Sequence, residues 1–288
     1  MTWALVVNPM ASRVTDESVA AVEALLPGPR RTLRTRHPGD AVELARELDG
    51  EVEAIVAFGG DGTFNEVLNG ASGRTPLGFV PGGGTSVLPR ALGLPRDPLA
   101  AALRIAAGRT LRIGVGRVDG RRFGFSAGLG LDAELVRAVD ELGRRPGGRR
   151  PGDRAFVGAA ARLVLARRGR FEPVLEVEGL GRAAFALVAN CSPYTYLGRL
   201  GLRVARDASF AQGLDLVAPA RVTPWSLPRL VLAAYRGVGD HGVHRAHDVD
   251  RLVVRCDVPL PLQVDGEDLG DVGGAVFEAE RDAITVLV

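Results

Sequence analysis

The rhythm of the first third of this chain constrains its fold most. Short apolar runs of strand length, at residues 3–7, 54–58 and 76–80, each end in a turn-forming loop. Between them lie helical patterns: Val19, Val22, Leu25 and Leu26 in 16–26, then Ala41, Leu44, Ala45 and Leu48 in 40–48. Further helices are expected at 65–68, 87–92 and 98–107. Strands buried on both faces and separated by helices build a parallel sheet covered on both sides. After about residue 110 the rhythm becomes strand-rich. Strands are expected at 111–118, 122–126, 174–177, 183–188, 203–205, 214–218, 252–255, 260–264, 275–279 and 284–288. Helices interrupt them at 132–142, 155–167 and 228–235. The expected fold is α/β: a parallel-sheet domain over residues 1–112 and a second, β-rich, sandwich-like domain over 113–288. The last strand is free to return to the first domain.

Composition excludes several classes. A net charge of +2 on 288 residues gives no global field for nucleic acid. All 36 basic residues are Arg, so a phosphate site here must use Arg or backbone N–H. Cys191 and Cys256 show neither metal-ligand spacing nor a disulfide framework. Without a signal-like start or a span-length apolar run, the chain reads as cytoplasmic, meeting any membrane only at its surface. The segment 141–154, ELGRRPGGRRPGDR, reads either as a solvated loop or as a basic arm for anionic headgroups. Its neighbour AFVGAAARLVLARRGR reads as a core helix or as one lying at an interface. His241, His244 and His247 suit an exposed polar connector, with zinc as the rival reading. Tyr194 and Tyr196 suit sheet packing or the wall of an apolar pocket. Asp132 suits a helix N-cap.

FGGDGTFNEV, residues 58–67, follows a strand and opens a helix. Glycine lets the backbone approach a ligand, and a helix N-terminus presents N–H groups that suit phosphate. The loop is neither GxxxxGK[ST] nor GxGxxG. Asp61 sits oddly beside phosphate unless a cation such as Mg²⁺ lies between them; its other reading is a helix cap. VPGGGTSVLPR, residues 80–90, repeats the design after the next strand, and VVNPMASR places Asn8 at the end of the first.

Together VVNPMAS, TRHPGDA, GGDGTFNEV, PGGGTSVLPRALGLP, SAGLGLDAELV, NCSPYTYLGRLGLRVARDASF, QGLDL and QVDGE resemble the diacylglycerol kinase catalytic-domain family of lipid kinases, across nearly the whole chain. The resemblance implies an ATP-binding α/β domain and a lipid-substrate domain. It implies that ATP is held by Asn8, Thr35, Gly59, Gly60, Asp61, Gly62, Thr63, Asn65 and Glu66, with Gly84 or Thr85 of the second loop, and that Mg²⁺ meets Asp61. It implies Asp265 of VDGE as general base on a lipid alcohol, assisted by Glu267; from the residues alone, Asp265-Gly266 also suits a hairpin turn. Transient contact with the membrane surface follows, and a homodimer is left open. Two departures stand out. The second loop carries Ser86 where the family commonly has Asn. In AQGLDL, Gln212 replaces an acid of the family's structural Mg²⁺ segment, leaving Asp215 as its one acidic ligand. An NAD kinase, which shares GGDGT, and a non-catalytic binding module are the rival readings.

Overall fold

A computed structural model describes residues 2–143, 153–198, 200–236 and 241–288. The chain divides into two compact units, Met1–Val115 with Arg281–Val288, and Gly116–Glu280.

The first unit alternates β1 (Trp3–Val7), α1 (Asp16–Leu25), β2 (Arg30–Arg34), α2 (Asp40–Leu48), β3 (Ala54–Gly59), α3 (Asp61–Gly70), β4 (Leu77–Pro81), α4 (Val87–Ala91) and α5 (Pro98–Ala106). Its strands are parallel, with β1 between β2 and β3, and β4 beside β3. One sheet face packs Leu5, Val7, Val56 and Phe58 against Val19 and Val22 of α1 and Ala102 and Ile105 of α5. Strand residues alternate faces, so Phe79, next to Val80 of that cluster, meets the other side. There Phe64 of α3 lies edge-on to it, 5.4 Å between ring centroids. At Gly70 an added Cβ would collide with Val42 O, so α2 and α3 pack at a distance only glycine permits.

The chain leaves this unit within β5 (Thr110–Val118) and returns within β16 (Glu267–Leu287). The second unit contains β6 (Arg121–Phe123), β7 (Ser126–Leu129), α6 (Leu131–Gly143), α7 (Asp153–Ala166), β8 (Leu175–Val177), β9 (Gly181–Ala183), β10 (Ala186–Ala189), β11 (Thr195–Leu197), β12 (Leu200–Leu202), β13 (Leu214–Pro219), α8 (Leu227–Arg236), β14 (Val243–Val249) and β15 (Arg251–Val264). Its pairings are antiparallel, in the order β14–β13–β10–β7–β15–β16. The inward faces close over Val118, Phe123, Leu129, Val188, Leu216, Val254, Leu262 and Phe277. A smaller cluster of Phe171, Ala184 and Val222 receives Val164 of α7 and Leu227 and Leu230 of α8.

Several boundaries differ from the sequence expectation. The stretch RRTLR forms β2, a mostly exposed edge strand with a single neighbour, so its arginines face solvent. The strand expected at 203–205 is instead β12, paired with β11. Residues 252–255 and 260–264 form one strand, its register broken between Arg255 and Leu260 where the prolines fall. Residues 275–279 and 284–288 likewise merge into β16. The histidine segment is β14, a strand. Most of the basic arm at 141–154 lies outside the described residues.

Candidate active site

Three loops meet at the carboxyl ends of β1, β3 and β4. Asn8 N–H donates to Phe58 O (3.0 Å) and Arg13 N–H to Gly82 O (2.9 Å), while Gly82 N–H donates to Gly59 O (2.6 Å). The Asn8 side chain donates to Thr63 Oγ1 at 2.9 Å and accepts from Met10 N–H at 2.9 Å. The glycines divide into two kinds. A Cβ on Gly59 would stand 2.6 Å from Thr63 Oγ1 in its own loop, and one on Gly83 2.8 Å from Gly60 Cα, so the first lets its loop fold tightly and the second lets the two loops touch. A Cβ on Gly62 or Gly84 would meet nothing within 4 Å, so these two border open space.

That open space adjoins the start of α3, whose N-cap, Gly60, offers no side-chain acceptor. An uncapped N-terminus with neighbouring glycine backbone fits phosphate oxygens. Ser86 is buried in the left-handed region at φ 49°, and its Oγ has no hydrogen-bond partner. Asp61 Oδ1 accepts from Val87 N–H at 2.7 Å, joining the first glycine loop to the start of α4. Asp61 is therefore a clamp between loops as well as the carboxylate that would hold Mg²⁺, an ion satisfied by one carboxylate, phosphate oxygens and water.

Other expected contacts have structural work. Glu66 accepts from Gly39 N–H (3.0 Å) and Ala41 N–H (3.2 Å), capping α2 from another helix. Asn65 is buried and accepts from Asn69 Nδ2 at 3.1 Å. Thr35 N–H donates to Val7 O at 2.9 Å, and Thr85 O accepts from Arg90 at 3.4 Å.

In the second unit, Asp265 is buried at φ 49° in the turn between β15 and β16. Its carboxylate accepts from the N–H groups of Gly124 (2.7 Å), Phe125 (2.9 Å) and Ser126 (3.1 Å). Three donors hold the carboxyl group in one orientation. Glu267, half-exposed, pairs with Arg121. Beneath this turn lies a network that sequence reading missed. Gln263 Oε1 accepts from Gly266 N–H at 2.9 Å, and its Nε2 donates to Asp132 Oδ2 at 2.6 Å. Tyr194 donates its phenol to the same oxygen at 2.7 Å. Burial pushes the Asp132 carboxyl up, and Tyr194 and Gln263 pull it partway back. Tyr194 is thus a buried network member, and Asp132, expected as a cap, anchors it. No local motif signals these partners, which lie 62 and 131 residues from Asp132.

The donor set at Asp215 does not fit a divalent ion. His247 Nδ1 lies 2.8 Å from its Oδ1, and Asp248 N–H donates to that oxygen at 3.1 Å. The hydrogen bond His247 makes to Asp215 raises the His247 pKa, and the ring occupies the carboxylate oxygens a cation would need. Gln212 Oε1 is buried without a partner. Among the described residues no group of three or more His, Cys, Asp or Glu is placed to hold a metal.

Residues 2–118 match the diacylglycerol kinase catalytic domain family. The match covers about two fifths of the chain. A diacylglycerol kinase of Bacillus subtilis (strain 168) is 43% identical over 110 residues, covering 36% of this chain and 36% of that protein. One from Staphylococcus aureus (strain Newman) is 36% identical over 93 residues, 31% of this chain and 30% of its own. The matched stretch thus spans about a third of these curated relatives. Among solved structures, a putative diacylglycerol kinase from Bacillus anthracis str. Sterne has a TM-score of 0.76 at 20% identity, over 99% of this chain and 96% of that one. An NAD kinase from Archaeoglobus fulgidus in complex with ATP reaches 0.51 at 14% identity, over 99% and 93%. These two likenesses establish the fold: an α/β unit with a β-rich second one. The glycine-loop cluster lies wholly inside the matched segment, whereas Asp265, Glu267 and Asp215 lie beyond it.

Proposed function

We propose that the chain is an ATP- and Mg²⁺-dependent lipid kinase that transfers the γ-phosphoryl group to a lipid hydroxyl, with diacylglycerol as acceptor and phosphatidic acid as product. The observation that carries this reading is the convergence of three loops around the uncapped start of α3, inside the segment that matches the kinase family. In the reading, backbone N–H groups of 60–63 and 83–85 would hold the phosphates, and Asp61 would hold Mg²⁺, which would supply neutralisation of their charge. Asp265 orients the acceptor hydroxyl and accepts its proton. Its three N–H donors fix its orientation, which suits a loose transition state in which positioning outweighs proton removal. Glu267, held by Arg121, assists from the same turn. The enzyme works as a peripheral protein at the cytoplasmic membrane surface; no helix among the described residues is long and apolar enough to cross a bilayer.

The fold likeness to an NAD kinase makes phosphorylation of NAD the natural control. The full chain is incubated with γ-labelled ATP and Mg²⁺, once with diacylglycerol in mixed micelles and once with NAD. Labelled phosphatidic acid supports the reading. Label in NADP alone, or nucleotide binding without transfer to any lipid, overturns it.

A further inference from the structure

Helices α7 and α8 expose apolar side chains where a helix covering a core should present polar ones. In α8, Leu227, Leu230, Ala233 and Ala234 turn inward, while Val231 (61% exposed), Leu232 and Tyr235 form an outward stripe. In α7, Phe156, Ala159, Ala160, Leu163 and Val164 turn inward, while Val157, Ala161 and Leu165 (76% exposed) line the outside. Just before α8, Trp225 is 90% exposed. The two helices pack on one cluster, through Val164, Leu227 and Leu230, and Phe171 and Val222 bridge their flanking segments.

The charges around these stripes are mostly positive. Residues 155–170 carry Arg162, Arg167, Arg168 and Arg170, residues 221–236 carry Arg221, Arg229 and Arg236, and neither stretch contains Asp or Glu. Arg167 is tied to Glu134 and lies over the Phe171 ring, and Arg221 pairs with Glu172. Arg162, Arg168, Arg170 and Arg236 are exposed.

We propose that this face is a docking surface for an anionic lipid bilayer. Apolar stripes enter the headgroup boundary, Trp225 and Tyr235 match its mixed polarity, and the arginines reach anionic headgroups with their stems laid on the apolar surface. Charge selects this occupant. A second copy would bring the same arginine-rich face, with Arg162, Arg168, Arg170 and Arg236 exposed, against itself across a two-fold axis, and like charges repel there. The proposal rests on the lipid-kinase reading for its purpose, while its test is separate from turnover.

Trp225 supplies the readout, because the one other tryptophan, Trp3, is buried in the first unit. The full chain is titrated with vesicles of phosphatidylcholine and phosphatidylglycerol in equal parts, and with phosphatidylcholine alone, following tryptophan emission and co-sedimentation. Binding to the anionic vesicles with a blue shift, weakened by salt, is expected. Arg162→Gln, Arg168→Gln and Arg236→Gln together reduce partitioning by about a hundredfold. Leu165→Ser with Leu232→Ser reduces it by more than about tenfold. Unshifted emission, wild-type binding by both variants, or a dimer that these changes dissolve without any vesicle binding overturns the proposal. Each variant is also assayed on a short-chain, water-soluble diacylglycerol, where turnover stays at the wild-type level. Failure of every protein on that acceptor refutes the kinase reading and leaves the vesicle result standing.

Discussion

Replacing Asp265 separates chemistry from folding. Its carboxylate is the acceptor for three buried N–H groups, two on Oδ1 from Phe125 and Ser126 and one on Oδ2 from Gly124. Asp265→Ala orphans all three. At about 1–3 kcal/mol for each buried donor left unmade, and about 1 kcal/mol more for alanine in the left-handed region, the loss is about 5 kcal/mol once water relieves part of it. That approaches the whole stability of an ordinary domain, about 5–15 kcal/mol. Asp265→Asn fares better. Its oxygen keeps the Phe125 and Ser126 bonds, its amide meets the Gly124 N–H donor to donor, and asparagine tolerates φ 49°. The expected cost is about 2 kcal/mol. Urea denaturation followed by circular dichroism gives the two values, and hydrogen exchange at amides 124–126 locates them. Equal stability of the two variants, or undiminished protection of those amides in Asp265→Ala, refutes the reasoning. Turnover is then read from Asp265→Asn, since an inactive alanine variant reports lost structure as readily as a lost base.

The glycine loops separate packing from binding. Gly83→Ala, whose Cβ would meet Gly60 backbone at 2.8 Å, destabilises the first unit by about 1–3 kcal/mol; Gly62→Ala, facing open space, melts like wild type yet binds ATP more weakly by calorimetry. Glu66→Ala frees the N–H groups of Gly39 and Ala41 and costs about 1–2 kcal/mol, seen as faster amide exchange at the start of α2. Burial raises the Asp132 pKa, so the folded state binds this proton more tightly than the unfolded chain. Its contribution is greatest below the ordinary value of 3.8 and is lost as pH rises through the elevated one. Asp132→Asn keeps an acceptor for Tyr194 and Gln263 and flattens that part of the stability–pH curve, measured by urea midpoints from pH 4 to 8.

Local pattern carried the first unit well because its strands are buried on both faces. The runs at 54–58 and 76–80 are continuous apolar stretches, and the glycines after them mark the loops that touch. It failed where an element draws its stability from neighbours distant in sequence. RRTLR has no apolar pattern and is a strand because β1 pairs with it along one edge. VHRAHDV reads as a polar connector, and is a strand because β13 supplies the ladder. Pro259, Pro261 and the glycines at 273 and 274 signal turns, yet the long β15–β16 ribbon absorbs them as register shifts. The site followed the same rule. Glycine spacing marked the loops that meet at the strand ends, whereas the partners of Glu66 lie 25 and 27 residues away and those of Asp265 139 to 141. The place of VDGE at the tip of an apolar strand suited a hairpin turn as well as a site, and family resemblance is what favoured that aspartate as a functional residue.

The return of β16 sets an order of assembly. Val286 pairs in parallel with Leu77 of β4, and Ile284, Val286 and Leu287 are buried. During synthesis the first unit therefore emerges from the ribosome with one edge of β4 bare, and stays so while the whole second unit is translated. Long-range parallel pairing is the slow kind of contact, and an unpaired apolar edge invites the wrong partner. The newborn first unit must wait, exposed, for a strand encoded some two hundred residues downstream of the one it completes.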